Sequence, residues 1–437
     1  MPDLLNILLV CYYFPPLGGA GVQRPAKFAK YLSRFGHRVT VIAAQPMESE
    51  LLDDSLLADI PDNVRVIRVK VRHPRNLVRW LPKRAKSDTP LSAKRGRVWR
   101  QVAAWSRLPD DKIGFVPGAL AAAKRAFADA PPDVIMTTSP PPSIHLVGRR
   151  LQKLWGIPWA ADFRDPWFLA ADEKLPTPVH RAIRSQLLGT TLRHADAVIA
   201  VSPGIIEDFR RWGFDRPDIE IITNGYDEDD FAGWDEQEDT LSSTRFAFHI
   251  YGTISPNAPL DPFLRALSTW LKAHPEMKDK IEISHRGMVI GPTLEELARK
   301  YDLPPRCASL GYAPHWYAVR ELSTAHALVI SVADRPGLRS NIPGRVYECL
   351  RSGRSILAFV PPDGAAAEVL KQFQGIAMIN PHDEQTAVER INHLLGVWQE
   401  NQHPAMDARE TVNRYSREQL TKRLSEIIRR TRLSTPQ

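Results

Sequence analysis

The residues best suited to chemistry lie in the segment RSNIPGRVYECLRSGRSILAFV, residues 339 to 360. Pro343 predicts the start of a helix and Gly353 predicts its end. Arg345 and Glu348 are three residues apart, so their side chains share one face near the helix start. A carboxylate there can accept both hydroxyls of a ribose, and an arginine can meet a diphosphate. An ordinary surface ion pair is the alternative interpretation.

A glycine-rich turn follows the first apolar run of the chain, in the segment NILLVCYYFPPLGGAGVQR. Arg24 stands where the dinucleotide fingerprint needs its third glycine, and no Gly-Lys-Ser/Thr follows for a P-loop. Glycine still lets a backbone approach a ligand closely, and a helix N-terminus offers free N–H groups and a positive dipole end. The turn is therefore a candidate phosphate contact, with a tight turn that binds nothing as the alternative.

Short apolar runs alternate with helical patterns and must position these residues. The runs are NILLVCYY, HRVTVIAA, VRVIRVKV, DVIMTTS, PWAADF, DAVIAVS and IEIITNG in the first half, and RFAFHIYG, KIEISHRG, CASLGY, ALVISV, SILAFV and GIAMIN in the second. This rhythm predicts two Rossmann-like α/β domains, each a parallel sheet with helices on both faces. Ligands bind at the carboxyl ends of such strands, so we expect the two domains to face each other across a deep cleft.

The predicted domain boundaries follow from an acidic, polar stretch at residues 226–244 and from a closing amphipathic pattern. We place the first, acceptor-side domain at residues 1–236 and the second, nucleotide-binding domain at 237–412. Residues 413–437 form a C-terminal helix and tail, which we expect to cross back to the first domain. The helical pattern itself begins near Ala408 and runs to Arg432.

Composition and charge restrict the class of protein. The chain has 437 residues, a formal net charge of +8 and a pI near 9.4. Its three cysteines are scattered, which indicates a reducing compartment without disulfides. The N-terminus lacks a basic region and breaks at Pro15, so it predicts a first strand and not a signal peptide. No apolar run is long enough to span a bilayer, and we expect a cytoplasmic location.

The basic residues are concentrated in a segment at residues 70–100, whose one acid is Asp88. Apolar side chains stand among its lysines and arginines, a mixture that an anionic membrane surface attracts. We expect Arg79, Trp80, Lys83 and Arg84 to contact the inner face of the cytoplasmic membrane or an acceptor's phosphates. A solvated loop is the alternative. Nucleic acid is not an expected partner, because no helix-turn-helix, zinc-finger or RNA-sheet signature is present.

The segment around Glu348 resembles the donor-binding segment of the family 4 retaining glycosyltransferases of the GT-B fold, with their pattern K/R-x-x-E-x-L-x-x-G-x-P-V/I-L-A. Four other segments resemble further family motifs in the right order: PPLGGAGVQR, DAVIAVSPGI, IITNGYDEDDF and HIYGTI. The resemblance covers nearly the whole chain. NGYD and RVYECLRSG are fairly specific, whereas the glycine loop alone is weak.

The resemblance implies a role for each matching position. Glu348 would bind the donor ribose and Arg345 would lie near the phosphates. The remaining donor-binding positions are Gly18 and Gly19 on the glycine loop, Gly252 and Thr253 after the second domain's first strand, and Asp363, Gly364 and Ala365 near the transferred sugar or diphosphate.

Three departures from the family pattern bear on the site. Ser340 replaces the acid that the family carries eight residues before Glu348. The Arg and Lys that many members use to hold the diphosphate are absent from GTISPNAPLD, and the substitutes on offer are Arg286, Arg335, Arg339 and Arg345. Where the family often has a histidine, this chain has DFRDPW. Asp162, Arg164 and Asp165 there are candidate catalytic residues for acceptor contact or transition-state support, with a structural pair that caps the turn as the alternative.

The resemblance implies transfer of a sugar from a nucleoside-diphosphate sugar to a glycan or lipid-linked acceptor, with retention, in cell-surface polysaccharide or lipopolysaccharide synthesis. Arginines and helix N-termini would stabilise the leaving diphosphate. We expect no cofactor and no metal, because carboxylates and histidines are not clustered at ligand spacing. A sugar-nucleotide 2-epimerase and a non-catalytic GT-B protein that binds a glycan or a partner are the alternatives.

Overall fold

The computed structural model describes residues 4–47, 50–71, 108–167, 178–234, 241–242, 244–304, 306–400 and 409–434. The chain divides into two compact units, here called unit 1 and unit 2. Unit 1 comprises residues 1–222 and 421–437, and unit 2 comprises residues 223–420. The division therefore comes before the acidic stretch at 226–244, whereas the predicted domain boundary comes within it.

Unit 1 is built on a seven-stranded parallel sheet in the order β3-β2-β1-β4-β5-β6-β7. Its strands are β1 (Asn6–Cys11), β2 (Arg38–Ala44), β3 (Arg65–Val69), β4 (Val134–Ser139), β5 (Trp159–Phe163), β6 (Ala197–Ala200) and β7 (Ile219–Ile221). Its helices before unit 2 are α1 (Ala20–Arg34), α2 (Phe115–Ala126), α3 (His145–Trp155), α4 (Pro178–His194) and α5 (Pro203–Arg211). β4 and β5 are buried along their full length, as strands covered on both faces must be.

Unit 2 is built on a six-stranded parallel sheet in the order β10-β9-β8-β11-β12-β13. Its strands are β8 (Phe246–Tyr251), β9 (Ile281–Arg286), β10 (Cys307–Ser309), β11 (Ala327–Ser331), β12 (Ser355–Phe359) and β13 (Ile376–Ile379). Its helices are α6 (Asp261–Ala273), α7 (Leu294–Lys300), α8 (His315–Arg320), α9 (Arg345–Ser352), α10 (Ala365–Leu370), α11 (Glu384–Gln399) and α12 (Arg409–Asn413).

Both sheets follow the Rossmann order, in which the strand sequence reverses beside the first strand. The reversal lies between β1 and β4 in unit 1 and between β8 and β11 in unit 2. The prediction of two Rossmann-like domains is confirmed. α9 also has the predicted ends, because Pro343 directly precedes its N-cap Gly344 and Gly353 ends it with a φ of 69°, a left-handed conformation that glycine adopts without strain.

The closing segment differs from the single predicted helix at 408–432. It forms α12 and then α13 (Arg417–Ser434), with an interruption between them. The interruption has a physical cause, because this stretch pairs with residue 226 of the same unit. The N–H of Tyr226 donates to the carbonyl of Tyr415 at 3.2 Å, and the N–H of Arg417 donates to the carbonyl of Tyr226 at 2.8 Å. A backbone that pairs sideways in this way leaves the helical hydrogen-bond ladder.

The later part of α13 belongs to unit 1. His37 accepts the N–H of Leu5 at Nδ1, at 3.1 Å, and its Nε2 lies 2.8 Å from the hydroxyl of Ser425. Burial lowers the pKa of His37, with a smaller contribution from Arg429.

Within the described residues, none of the helices combines the length and the apolar character that crossing a bilayer requires.

Candidate functional site

The reversal point of the sheet in unit 2 is bridged by Arg345, the first residue of α9. Its Nη1 donates to the carbonyl of Thr253, just after β8, at 3.3 Å, and its Nη2 donates to the carbonyl of Ser331, at the end of β11, at 3.1 Å. Its Nε is buried and has no partner among the described residues. Burial lowers the pKa of Arg345, and the nearby Cys349, Tyr251 and Glu348 oppose that shift. A half-buried cation held by neutral carbonyls is well prepared to attract an anion.

Gly252 is required beside this arginine for two reasons. Its φ is +97°, and a β-carbon added to it would lie 2.8 Å from Nη1 of Arg345. The Gly252 carbonyl accepts from Nε2 of His285 at 2.7 Å, which fixes the direction of the turn. The predicted donor residues Gly252, Thr253 and Arg345 therefore come together.

Two of the other candidate arginines, Arg286 and Arg339, have carboxylate partners. Nε and Nη2 of Arg286 both donate to Glu321 at 2.6 Å, and this pairing raises the arginine's pKa. Arg339 donates to Asp334 at 3.0 and 3.2 Å and to Asp363 at 2.5 Å. These pairs neutralise the guanidinium charges, so the geometry favours Arg345 over Arg286 and Arg339 for a diphosphate.

Glu348 follows one turn later on α9 and is 9 % exposed. Nε2 of His315 lies 3.4 Å from Oε1 of Glu348, and Tyr251, whose hydroxyl lies 3.2 Å from Nδ1 of His315, also acts to lower the pKa of this carboxyl. Burial raises the pKa of Glu348, Asp230 adds to that shift, and His315 and Arg417 oppose it. The carboxylate is thus built into a charged network and is not half of an Arg345–Glu348 surface pair.

The predicted donor-binding residues after β12, Asp363 to Ala365, have fewer groups left to bind a ligand. The N–H of Gly364 donates to the carbonyl of Pro361 at 3.0 Å, and the N–H of Ala365 donates to the carbonyl of Arg339 at 2.7 Å. Asp363 is paired with Arg339. Two amides of this turn are therefore already used within the protein, and the turn is braced against the segment that carries Ser340.

The glycine loop of unit 1 follows β1, at the reversal point of its own sheet. The N–H of Gly18 donates to the carbonyl of Leu51 at 2.8 Å, so this amide is used by the protein. Gly19 has a φ of +89° and forms the N-cap of α1, and a β-carbon added to it would meet no atom within 4 Å. The loop is therefore open at Gly19, as a ligand contact requires.

Arg164 holds this loop from inside the protein. It donates to the carbonyls of Ser139 at 2.7 Å and Pro140 at 3.3 Å, and its Nη1 also donates to the carbonyl of Gly21. It thus joins the loop after β1 to the carboxyl end of β4. Its partners are all backbone atoms, which is typical of a structural role.

Asp162 is fully buried on β5. Nε and Nη2 of Arg24 donate to its two oxygens at 3.0 and 2.7 Å, and the hydroxyl of Thr138 donates at 2.6 Å. Arg24 is itself 1 % exposed. We expected Asp162 and Arg164 to face a ligand, and the structure corrects this: both side chains point into the protein and position the loop.

Asp165 is the member of the predicted trio that keeps contact with solvent. It is partly exposed, and no described residue hydrogen-bonds to its carboxylate. Burial raises its pKa, and Arg164 opposes the shift. A carboxylate in such a place can accept a hydrogen bond or a proton from an incoming hydroxyl.

Sequence reasoning missed two residues that organise these sites. Arg24 was seen only as the residue that breaks the glycine fingerprint, although it is the partner of Asp162. His315 belongs to none of the motifs found in the sequence. It lies beside Glu348 only in the folded protein. The predicted membrane or acceptor contacts Arg79, Trp80, Lys83 and Arg84 lie outside the described residues.

The family model for a glycosyl transferase 4-like domain matches residues 18–225. This stretch contains the glycine loop, the Arg24–Asp162 pair and Asp165. No curated protein matches the sequence.

Solved structures resemble the chain over its whole length, at low sequence identity. Sucrose-phosphate synthase from Thermosynechococcus elongatus is 15% identical with a TM-score of 0.65, and the match covers 98% of each chain. The Anabaena protein HepE, in complex with UDP and glucose, is 15% identical with a TM-score of 0.63, over 97% of this chain and 99% of HepE. WaaG, a glycosyltransferase involved in lipopolysaccharide biosynthesis, is 12% identical with a TM-score of 0.60, over 97% of this chain and 99% of WaaG. These likenesses establish the fold, which is GT-B.

Proposed function

We propose that this chain, which has the GT-B fold and matches a glycosyl transferase 4-like domain over residues 18–225, is a glycosyltransferase that moves a sugar from a nucleoside-diphosphate sugar to a hydroxyl of a glycan or lipid-linked acceptor. The observation that carries this proposal is the pair on α9. Arg345 is half-buried against Gly252 with carbonyl partners, and Glu348 lies one turn away with its carboxylate close to His315. The two side chains match the two chemical features of a nucleotide, an anionic diphosphate and a ribose diol.

Two structural neighbours support the class of donor and pathway. HepE has been crystallised with UDP-glucose, and WaaG takes part in lipopolysaccharide biosynthesis. We therefore favour a nucleoside diphosphate as the leaving group and cell-surface polysaccharide or lipopolysaccharide as the product. The basic segment at residues 70–100 supports work at the inner face of a membrane, where lipid-linked acceptors are found.

The proposed reaction breaks the bond between the anomeric carbon and the diphosphate oxygen. The acceptor hydroxyl attacks from the side that the diphosphate leaves, so configuration is retained. Negative charge develops on the leaving diphosphate, and a fixed cation such as Arg345 lowers that barrier without reorganising. Asp165 accepts the hydrogen bond of the acceptor hydroxyl, and its raised pKa suits it to receive that proton.

A thermal-shift panel tests the donor site first. UDP, GDP, ADP and TDP, with their sugar conjugates, are added to the wild type and to Glu348→Ala. A ligand that binds only the folded protein raises its melting temperature. At a ligand concentration of a hundred times the Kd, the free energy of unfolding rises by about 2.7 kcal/mol. We expect one nucleotide to stabilise the wild type and to lose most of its effect in the variant. The absence of any shift in the wild type would refute donor binding and favour a non-catalytic GT-B protein.

A further inference from the structure

A histidine of unit 2 stands between two carboxylates beside the proposed ribose site. Nε2 of His315 lies 3.2 Å from Oδ2 of Asp230 and 3.4 Å from Oε1 of Glu348. The exposed fractions of the three side chains are 12, 10 and 11 % respectively, so water screens them weakly. Two carboxylates that share such a site tend to bind a proton between them unless a cation is present.

The charges around the imidazole favour its protonated state. Carboxylate oxygens accept, so Nε2 carries a hydrogen where it faces Asp230. Nδ1 of His315 lies 3.2 Å from the hydroxyl oxygen of Tyr251, and either atom of that pair can donate. Because two weakly screened carboxylates lie within 3.4 Å of Nε2, the imidazolium is the favoured form of His315.

The other elements around Glu348 supply charges of both signs. Arg417, the first residue of α13, favours the ionised carboxylate, and Asp230, from the short 3-10 turn Glu228–Phe231, disfavours it. Burial also favours the neutral acid. Loss of the charge on His315 would remove the largest effect that opposes the raised pKa of Glu348, and Glu348 would bind a proton more readily. Protonation turns one carboxylate oxygen into an O–H donor and removes the charge, so the carboxyl accepts the two hydroxyls of a diol less strongly.

We propose that His315 is a positioning residue that, as an imidazolium, keeps Glu348 ionised and oriented to accept both hydroxyls of a ribose. This inference rests on the proposed function, because it takes Glu348 as the ribose contact. It predicts that ribonucleotide binding weakens as pH rises and His315 loses its proton. It also predicts that the sensitivity is confined to the ribose diol and spares the rest of the nucleotide.

Calorimetric titrations of the full chain with UDP, GDP and ADP and with their 2′,3′-dideoxy forms separate these contributions. The preference for the ribonucleotide over its 2′,3′-dideoxy form measures the contact with the diol. It is followed from about pH 6 to about pH 9, the range in which a histidine near carboxylates titrates. The variants are His315→Gln, which removes the charge, His315→Lys, which keeps a positive charge throughout, and Glu348→Gln. His393→Gln, on the exposed face of α11, is the matched control.

In the wild type we expect the preference to fall by roughly five- to tenfold across this range, the difference between a charged and a neutral hydrogen bond. His315→Gln should have the low preference at every pH, with binding of the 2′,3′-dideoxy form unchanged. His315→Lys should lose the pH dependence and keep the preference at high pH. His393→Gln should follow the wild type.

The outcomes distinguish the inference from the proposed function. A His315→Gln variant with the preference and pH dependence of the wild type overturns the role of His315 and leaves the donor site intact. An unchanged preference in Glu348→Gln, or no nucleotide binding by the wild type, overturns the ribose contact and with it both proposals. Circular dichroism checks that each variant is folded. If His315→Gln does not fold, a pH dependence that persists in His315→Lys still refutes the inference.

Discussion

The buried pair of Arg24 and Asp162 offers a sharp test of the roles assigned in unit 1. The change is Asp162→Asn, which keeps the shape of the side chain and removes its charge. Arg24 is 1 % exposed and donates to Asp162 at 2.7 and 3.0 Å, so the variant takes a charged partner away from a buried guanidinium. Breaking a buried ion pair by removing one partner costs about 3–5 kcal/mol. We expect about 3 kcal/mol here, because asparagine retains an acceptor oxygen.

Hydrogen exchange read by mass spectrometry is the assay, since it reports the opening of unit 1 separately from unit 2. A loss of about 3 kcal/mol speeds exchange in peptides from β4 and β5 roughly 150-fold. Arg24→Met should have a similar cost, and the double variant should cost about 2 kcal/mol less than the two single effects summed. Asp165→Asn, three residues further along, is the matched control and should leave exchange in these strands unchanged.

The reasoning is refuted if both single variants accelerate exchange by less than about fivefold and their effects are additive. The pair would then be an incidental contact, and Asp162 would return as a candidate ligand residue. If both single variants are strongly destabilised and their effects are not additive, Asp162 has a structural role like that of Arg164. It then positions the loop and does not contact the substrate.

Three further predictions concern ligand binding, turnover and pH. Gly252→Ala should weaken UDP binding about tenfold by calorimetry, because it displaces Arg345, and Gly291→Ala, also at positive φ but with open space around it, should not. Asp165→Asn should lower kcat about 100-fold or more and leave donor KM unchanged in a sugar-transfer assay, and a loss confined to KM would contradict its role. Burial lowers the pKa of His249 to about 3, below the 6.5 of an unfolded histidine, so unit 2 should lose about 2 kcal/mol between about pH 6.5 and 5. Urea unfolding would contradict this if His249→Gln showed the same acid sensitivity as the wild type.

The sheets could be predicted because their physics is local. Each of the thirteen apolar runs identified in the sequence contains one of the observed strands. Central strands such as β1 and β11 are buried on both faces and so leave nearly continuous apolar segments. The ends of α9 were equally readable, as proline and glycine act through their own backbone preferences. Ligands bind at the carboxyl ends of parallel strands, so the rule also predicted that the glycine loop after β1 and the Gly252 turn after β8 are candidate ligand contacts. Both lie where the strand order of their sheet reverses.

The direction of polar side chains could not be predicted, because it depends on partners far away in the chain. Asp162 alternates with apolar neighbours on β5, and only its pairing with Arg24, 138 residues earlier, explains why it points inward. Arg286 looked available until folding brought Glu321 to it, 35 residues later. A resemblance to a family predicts which type of residue stands at a position. Whether the charge of that residue is available to a ligand depends on the partners that folding brings to it.

Unit 1 is built from two separate stretches of the chain, so it cannot finish folding until the second stretch has been synthesised. The contact between His37 and Ser425 joins residues that are 388 apart, and all of unit 2 is synthesised between them. At about 5–20 residues per second, those roughly two hundred residues take about 10–40 s to add. During that interval the surface that receives Leu424 and Ile428 is complete but uncovered, whereas unit 2 can close as soon as its own segment has emerged. The part of the chain translated first is thus the last to finish folding, and it is where we expect a chaperone to act.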